Sequence, residues 1–139
     1  MAKTFTAPFA QTPKSLSVVA TAALGGIGTD TVTGAVLVAT AGADGSIVTK
    51  LMALPRATTT ASSLVLFLVK AATPAVYGMI DSVLLGAYTA ATTTAIPFTQ
   101  FTNISESTPI RLEAGDKLYV GTQVALAAGI VFKAEWMDF

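Results

Sequence analysis

No cysteine and no histidine occur in the 139 residues. The first absence excludes disulfides and thiolate metal sites, so cysteine usage gives no clue to the redox compartment. The second removes the commonest general base and the commonest metal ligand together. Charge is also scarce: eight Lys plus Arg against eight Asp plus Glu, 12% of the chain, beside 53% hydrophobic residues. Soluble domains ordinarily carry about 25% charged residues. Zero net charge lacks the basic footprint of a nucleic-acid binder and favours association of the protein with itself. Two physical readings fit this balance. One is a threonine-rich surface that hydrates without charge, and the other is a surface largely buried between subunits. No stretch reads as a membrane helix, since the longest uncharged run, Ser82–Ser105, is rich in threonine and contains Pro97. Lys14 followed by Leu16–Ile27 faintly resembles a signal peptide. Ser17, Thr21, Gly25 and Gly26 dilute its apolar run, and the segment is expected to be retained.

What is present is a succession of short β-patterned runs. Residues 1–28 read as an N-terminal arm with a strand-like piece at Ser15–Thr21, closed by a flexible joint at Gly25-Gly26-Ile27-Gly28. Residues 29–139 read as one β-sandwich domain. Strands are expected at Thr31–Thr40, Ser46–Leu54, Leu64–Val69, Val76–Leu85 and Ile96–Phe101, then as a hairpin at Ile110–Glu113 and Lys117–Val120, and last at Ile130–Phe139. In the second of these, Ile47, Thr49, Leu51 and Ala53 are expected on one face and Val48, Lys50, Met52 and Leu54 on the other. The continuous apolar run Leu64–Val69 reads as a strand covered on both faces. In the last, Ile130, Phe132, Ala134 and Trp136 share one face. The best opportunity for a helix, Thr21–Leu24, is cut off by Gly25. About eight strands at roughly ten-residue spacing give an all-β, jelly-roll-like antiparallel sandwich with an extended arm.

Chemistry is thin. Asp44-Gly45 and Gly115-Asp116 place carboxylates in turns without the convergent oxygens calcium needs. Gly25–Gly28 lacks the Lys-Ser or Lys-Thr of a phosphate loop and reads as a hinge. Glu106, Glu113 and Asp116 lie near Arg111 and Lys117, which makes paired surface charges a simpler reading than a glycosidase pair. No catalytic, metal or cofactor residue is assigned, and the chain is not expected to be an enzyme. Lys70 and Asp81 beside apolar runs are either strand-end charges or paired with another chain. Phe132 and Trp136 read as core. Contacts between subunits are expected from Phe5, Phe9, Leu16 and Val18 in the arm and from Met137 and Phe139 at the end, with both termini held by neighbours.

Three segments, ATAGADGSIVTKLMALPRATTTASSLVLFLV (Ala39–Val69), IRLEAGDKLYVG (Ile110–Gly121) and GIVFKAEWMDF (Gly129–Phe139), resemble a family of small virion structural proteins of tailed bacteriophages. The shared pattern is a Gly-Ser turn opening a strand, a Thr-Thr-Ala loop before an apolar strand, a hairpin around Ala-Gly-Asp, and a last strand ending in an acidic-aromatic pair. The resemblance implies a jelly-roll-like subunit that decorates or cements the phage head, assembled in the host cytoplasm and displayed on the virion. Its expected partners are copies of itself, as a homotrimer, and the major capsid protein, with neither nucleic acid nor membrane. The shared pattern concerns packing, so no functional residue is carried over. Two rival readings remain: a receptor- or glycan-binding fibre module, for which Tyr77, Tyr88 and Tyr119 are the available tyrosines, and a tail or connector subunit.

Overall fold

Alternating apolar and polar side chains suit an antiparallel sheet with one wet face, and such sheets pair their dry faces. The computed structural model describes residues 12–139, and it consists of two such sheets. Its strands are β1 (Thr12–Ala20), β2 (Val36–Thr40), β3 (Ser46–Pro55), β4 (Ser62–Val69), β5 (Gly78–Leu85), β6 (Thr99–Gln100), β7 (Ile110–Leu112), β8 (Lys117–Thr122) and β9 (Ile130–Asp138). The first sheet runs β1-β9-β3-β6, with β7 also pairing β3. The second runs β2-β8-β4-β5. No helix forms among the described residues.

The pairings follow one rule. β1 pairs β9, β2 pairs β8, β3 pairs β6 and β7, and β4 pairs β5, all antiparallel. The chain is thus a long ribbon doubled back at the β4–β5 turn. Further pairing of β3 with β9 and β4 with β8 rolls that ribbon into two sheets. This is the jelly-roll arrangement of an antiparallel sandwich.

Between the sheets lies the main core, with Val38, Val48, Leu51, Leu64, Leu66, Leu118, Val120, Ile130 and Phe132 buried. The β9 alternation is realised as expected, with Ile130, Phe132, Ala134 and Trp136 all buried. In β3 the expected faces hold only in part. A register shift between Val48 and Lys50 against β9 inserts one residue. Ser46 and Val48 therefore face inward before it, and Leu51 and Ala53 after it, because a bulge reverses the two-residue alternation.

Leu64 and Leu66 of β4 enter the main core, while Val65 and Phe67 are buried on the opposite side in a second cluster. The cover on that side is the segment between β1 and β2, through Leu24, Ile27, Val32 and Ala35. The supposed joint is therefore a strap. Gly25 and Thr33 exchange backbone hydrogen bonds of 3.0 Å each, and Tyr77 N donates to Asp30 O at 2.9 Å. Thr21–Leu24 forms no helix: the chain bends at Ala22 and bridges Thr122 from Ala23, with Leu24 N donating to Thr122 O at 2.8 Å. The arm expected over residues 1–28 is revised likewise. Thr12–Ala20 is an edge strand in register with β9 over nine consecutive pairs, because its Val18 and Ala20 complete the inner face that Phe132 and Ile130 begin. The Ile96–Phe101 strand shrinks to Thr99–Gln100, since Pro97 cannot donate to a ladder.

Candidate interaction surface

Polar networks tie the loops at both ends of the sandwich. At the end where β4 runs into β5, Asp116 is only 2% exposed. Its carboxylate accepts from Lys70 Nζ at 2.6 Å, Ala71 N at 3.2 Å and Glu113 N at 3.0 Å. Glu113 adds a second contact to Lys70 at 3.3 Å. Burial pushes the Asp116 carboxyl up, but the Lys70 ammonium and the two amides outweigh it and hold its pKa below the ordinary value. The hydrogen bond from Lys70 to Asp116 raises the lysine above its usual value, against a smaller desolvation effect. The expected pairing of these acids with Arg111 and Lys117 is therefore replaced by Lys70, which the β4–β8 register brings beside the β7–β8 turn. Lys70 is thereby a strand-end charge paired within its own chain. Asp81 likewise finds a partner within the chain: its Oδ1 accepts from Asn103 Nδ2 at 3.0 Å, while its Oδ2 is buried without one. At the opposite end, Ser62 and Thr122 hydroxyls meet at 2.5 Å, and Ser62 accepts from Val124 N at 3.1 Å.

These networks are staples between loops. The three acids named from the sequence do not converge, since Glu106 lies on the other side of the first sheet. There it lines an open groove of about 560 Å³ with Thr49, Lys50, Gln100, Ser105, Ser107 and Glu135. Glu135 holds Lys50 and Lys133 at 3.7 Å each. Among the described residues no group of acids is arranged to hold a metal ion. Of the three tyrosines, Tyr77 and Tyr119 pack with their rings tilted by 59° and centroids 5.1 Å apart beneath the strap, with Phe67 edge-on to Tyr77 at 6.2 Å. Burial foremost, and the Tyr119 phenol next, raise the Tyr77 pKa. Tyr88 stands apart, bridged to Thr59.

The interface residues expected from sequence fall as follows. Phe5 and Phe9 lie outside the described residues. Val18 packs partly buried against the core, and Leu16 lies on the same strand face but is exposed at the sheet edge. Met137 is half-buried on the outer face of the first sheet beside Pro13 and Ile47. Phe139 is exposed past the end of β9, its N–H donating to Gly45 O at 3.2 Å.

The largest apolar exposure lies elsewhere. Ten large hydrophobic residues are exposed among the described ones, and six of them, Val76, Met79, Ile80, Leu84, Ile96 and Phe98, lie on β5 and on the approaches to β5 and β6. Leu84 is 65% exposed, Phe98 59% and Met79 54%. By apolar pattern alone these residues read as parts of buried strands. The one available sign was the lack of any Lys, Arg or Glu from Gly78 to Gln100.

No family model matches the chain, and no curated protein matches it. Among solved structures, one titled "Structure of infectious bursal disease virus Gt strain" aligns over 93% of this chain with 11% identity and a TM-score of 0.32. This chain spans 32% of that one, and at such a score the likeness is one of outline.

Proposed function

We propose that this chain is a structural subunit of a bacteriophage particle, a capsid decoration or cement protein that acts as a homo-oligomer, a homotrimer, on the head surface. The observation that carries the reading is a sandwich with very little charge that leaves apolar side chains concentrated on one flank. Patches of this kind mark docking surfaces. The three sequence segments that resemble phage virion proteins point the same way, as does a polar chemistry spent on stapling loops. The mechanism is mechanical: many weak attachments on a multivalent particle add to a strong one. No reaction, cofactor or metal is invoked.

The test is to locate the chain by cryo-EM or immunogold labelling on particles that contain it. Labelling at regular positions on the head supports decoration, and labelling confined to tail or connector overturns it. Deleting residues 1–11, the part of the expected arm that precedes β1, is predicted to leave the sandwich folded and to abolish particle attachment. Unchanged attachment removes the arm from the mechanism.

The groove beside Glu106 favours a second reading, glycan binding. Its Gln100 amide, hydroxyls and carboxylates are the groups that hydrogen-bond sugars, and Phe98 shares the outer side with Gln100 by strand alternation. A glycan array with no hits that Glu106→Ala and Gln100→Ala abolish would discard it.

A further inference from the structure

We propose that two copies of this chain exchange their N-terminal segments, residues 1–11 of each adding as a new strand to the open edge of β1 in the other. The contact is two-fold, so it is additional to the three-fold assembly proposed above and does not rest on it. Hydrogen bonding fixes which groups the edge presents. Gly129 O accepts from Arg56 N and Phe139 N donates to Gly45 O, so the odd residues of β9 bond toward β3. Its even residues therefore bond toward β1, and the register of Lys14 with Trp136 makes the even residues of β1 bond back. Pro13, which has no N–H to give to β9, agrees with this phase. The backbone groups of Ser15, Ser17 and Val19 are left turned outward, and no strand pairs with that edge among the described residues. β1 is also the one long, regular edge among the described strands. It holds unbroken register over its 9 residues, whereas β2 and β5 carry register shifts and β6 and β7 are 2 and 3 residues long. Such an edge is a template for another strand.

The length and sequence of residues 1–11 select them, from a second copy, as the occupant. Extended, such a segment reaches about 36 Å, more than the roughly 30 Å of a strand like β1. Folding back onto its own β1 would take a tight turn at Ala10–Pro13, which holds no Gly, Asn or Asp. Running straight on from β1 needs no turn and carries the segment beside a copy related by a two-fold axis at Thr12. The two strands then lie antiparallel, and each segment covers the other copy's β1. Outward backbone groups meet only when odd residues face odd ones. With the axis at Thr12, Phe5 falls opposite Val19, Ala7 opposite Ser17 and Phe9 opposite Ser15. Pro8 falls opposite Leu16, in a pair that exchanges no backbone hydrogen bonds, so its missing N–H costs nothing. Val19 and Leu16 are the large apolar side chains that β1 leaves exposed, and this register covers both. An axis one residue away, at Gln11, sets Val19 against Lys3 and Leu16 against Thr6 instead. Lys14, the only charge on β1, lies opposite Ala10, so no like charges meet.

The chain's lack of cysteine makes the test clean. Across the axis the two copies of residue 12 form a pair without backbone hydrogen bonds, with Cα atoms about 4.5 Å apart, within reach of a disulfide. Thr12→Cys is therefore expected to oxidise to a linked dimer of two 14.2 kDa chains. Ser17→Cys, exposed on the same strand, is expected to stay unlinked. Equal cross-linking of both variants overturns the register. Pro8→Cys/Leu16→Cys is expected to link chain to chain, and a disulfide within a single monomer means that the segment folds back on its own β1 and overturns the exchange. Phe5→Glu lies before β1 and is expected to keep the native circular dichroism while weakening the dimer by at least about 10-fold. A dimer of unchanged affinity removes the segment from the contact and sinks the proposal. If the unaltered protein scatters light as a monomer at high concentration, and the amides of Ser15, Ser17 and Val19 gain protection from hydrogen exchange only on particles, the edge belongs to another virion subunit. The exchange is then wrong while the structural role stands.

Discussion

β4 and β5 are neighbours in the chain and in the sheet, and both are apolar, yet they are used in opposite ways. Every residue of β4 is buried or half-buried, whereas β5 turns Met79, Ile80 and Leu84 to solvent. β4 lies between β8 and β5, over the core and under the strap. β5 has a strand on one side only. Hydrophobic content thus says that a strand wants cover, and position in the ribbon decides who provides it. The contrast is sharpest at matched positions. Leu66→Ala, at a fully buried site, is expected to cost about 3–5 kcal/mol, and Phe67→Ala a similar amount. Guanidinium denaturation measures both. A Phe67→Ala cost below about 1 kcal/mol would mean that the strap is not a packed layer and that β4 resembles β5 after all.

The turn that separates the two strands offers the next test, because Asp116 pins its first residues. Asp116→Ala strands the amides of Ala71 and Glu113 and is expected to cost about 2–3 kcal/mol. The pH dependence has a definite sign. Because the folded pKa lies below the unfolded value near about 3.9, the contribution of Asp116 is complete above that value and vanishes as pH falls through the lower, folded one. Lys70 behaves oppositely, its share present below about pH 10.4 and lost as pH rises through the raised folded value. Thermal melts of wild type and Asp116→Asn should converge in acid and separate toward neutrality. Parallel curves throughout would show that the staple does not titrate with folding.

Much of this was legible in the residues, and what was hidden has physical causes. The β9 alternation and the doubly covered β4 were readable because periodicity and composition are local properties. The bulge that reverses β3 leaves no mark of its own, since Val48, Thr49 and Lys50 suit either face. The pairing of Thr12–Ala20 with β9 joins opposite ends of the chain, so Ser15–Thr21 could be read as strand-like but not as part of the sheet. Lys70 and Asp116 are 46 residues apart, and only the β4–β8 register brings them together. The exposed flank was illegible for the same reason: whether a strand is central or at an edge is a fact of topology.

The strap makes the comparison reversible by a smaller change. Gly34 has φ +83°, and a Cβ there comes within 2.7 Å of the Ala23 carbonyl oxygen. Gly34→Ala is expected to cost about 1–2 kcal/mol and to loosen the strap over Val65 and Phe67. Hydrogen exchange at β4 then speeds up. Gly28, in the same segment, has open space around it and no positive φ, so Gly28→Ala is the control, neutral or slightly stabilising. Equal losses in both would assign the effect to the segment's general flexibility and not to its fit.

The smallest effect is the one that isolates what β5 is for. Leu84→Ala removes a side chain that touches mostly water in the single chain, so its expected cost in unfolding is within about 0.5 kcal/mol. Phe98→Ala should behave alike. If these residues were core in the way Leu66 is, truncation would register in denaturation at every protein concentration. If they are contact residues, unfolding of dilute protein is unchanged and the loss appears only where chains associate, as a melting temperature that no longer rises with concentration. Comparing melts of Leu66→Ala and Leu84→Ala across a concentration series therefore separates a strand that holds the subunit together from one that holds subunits to each other.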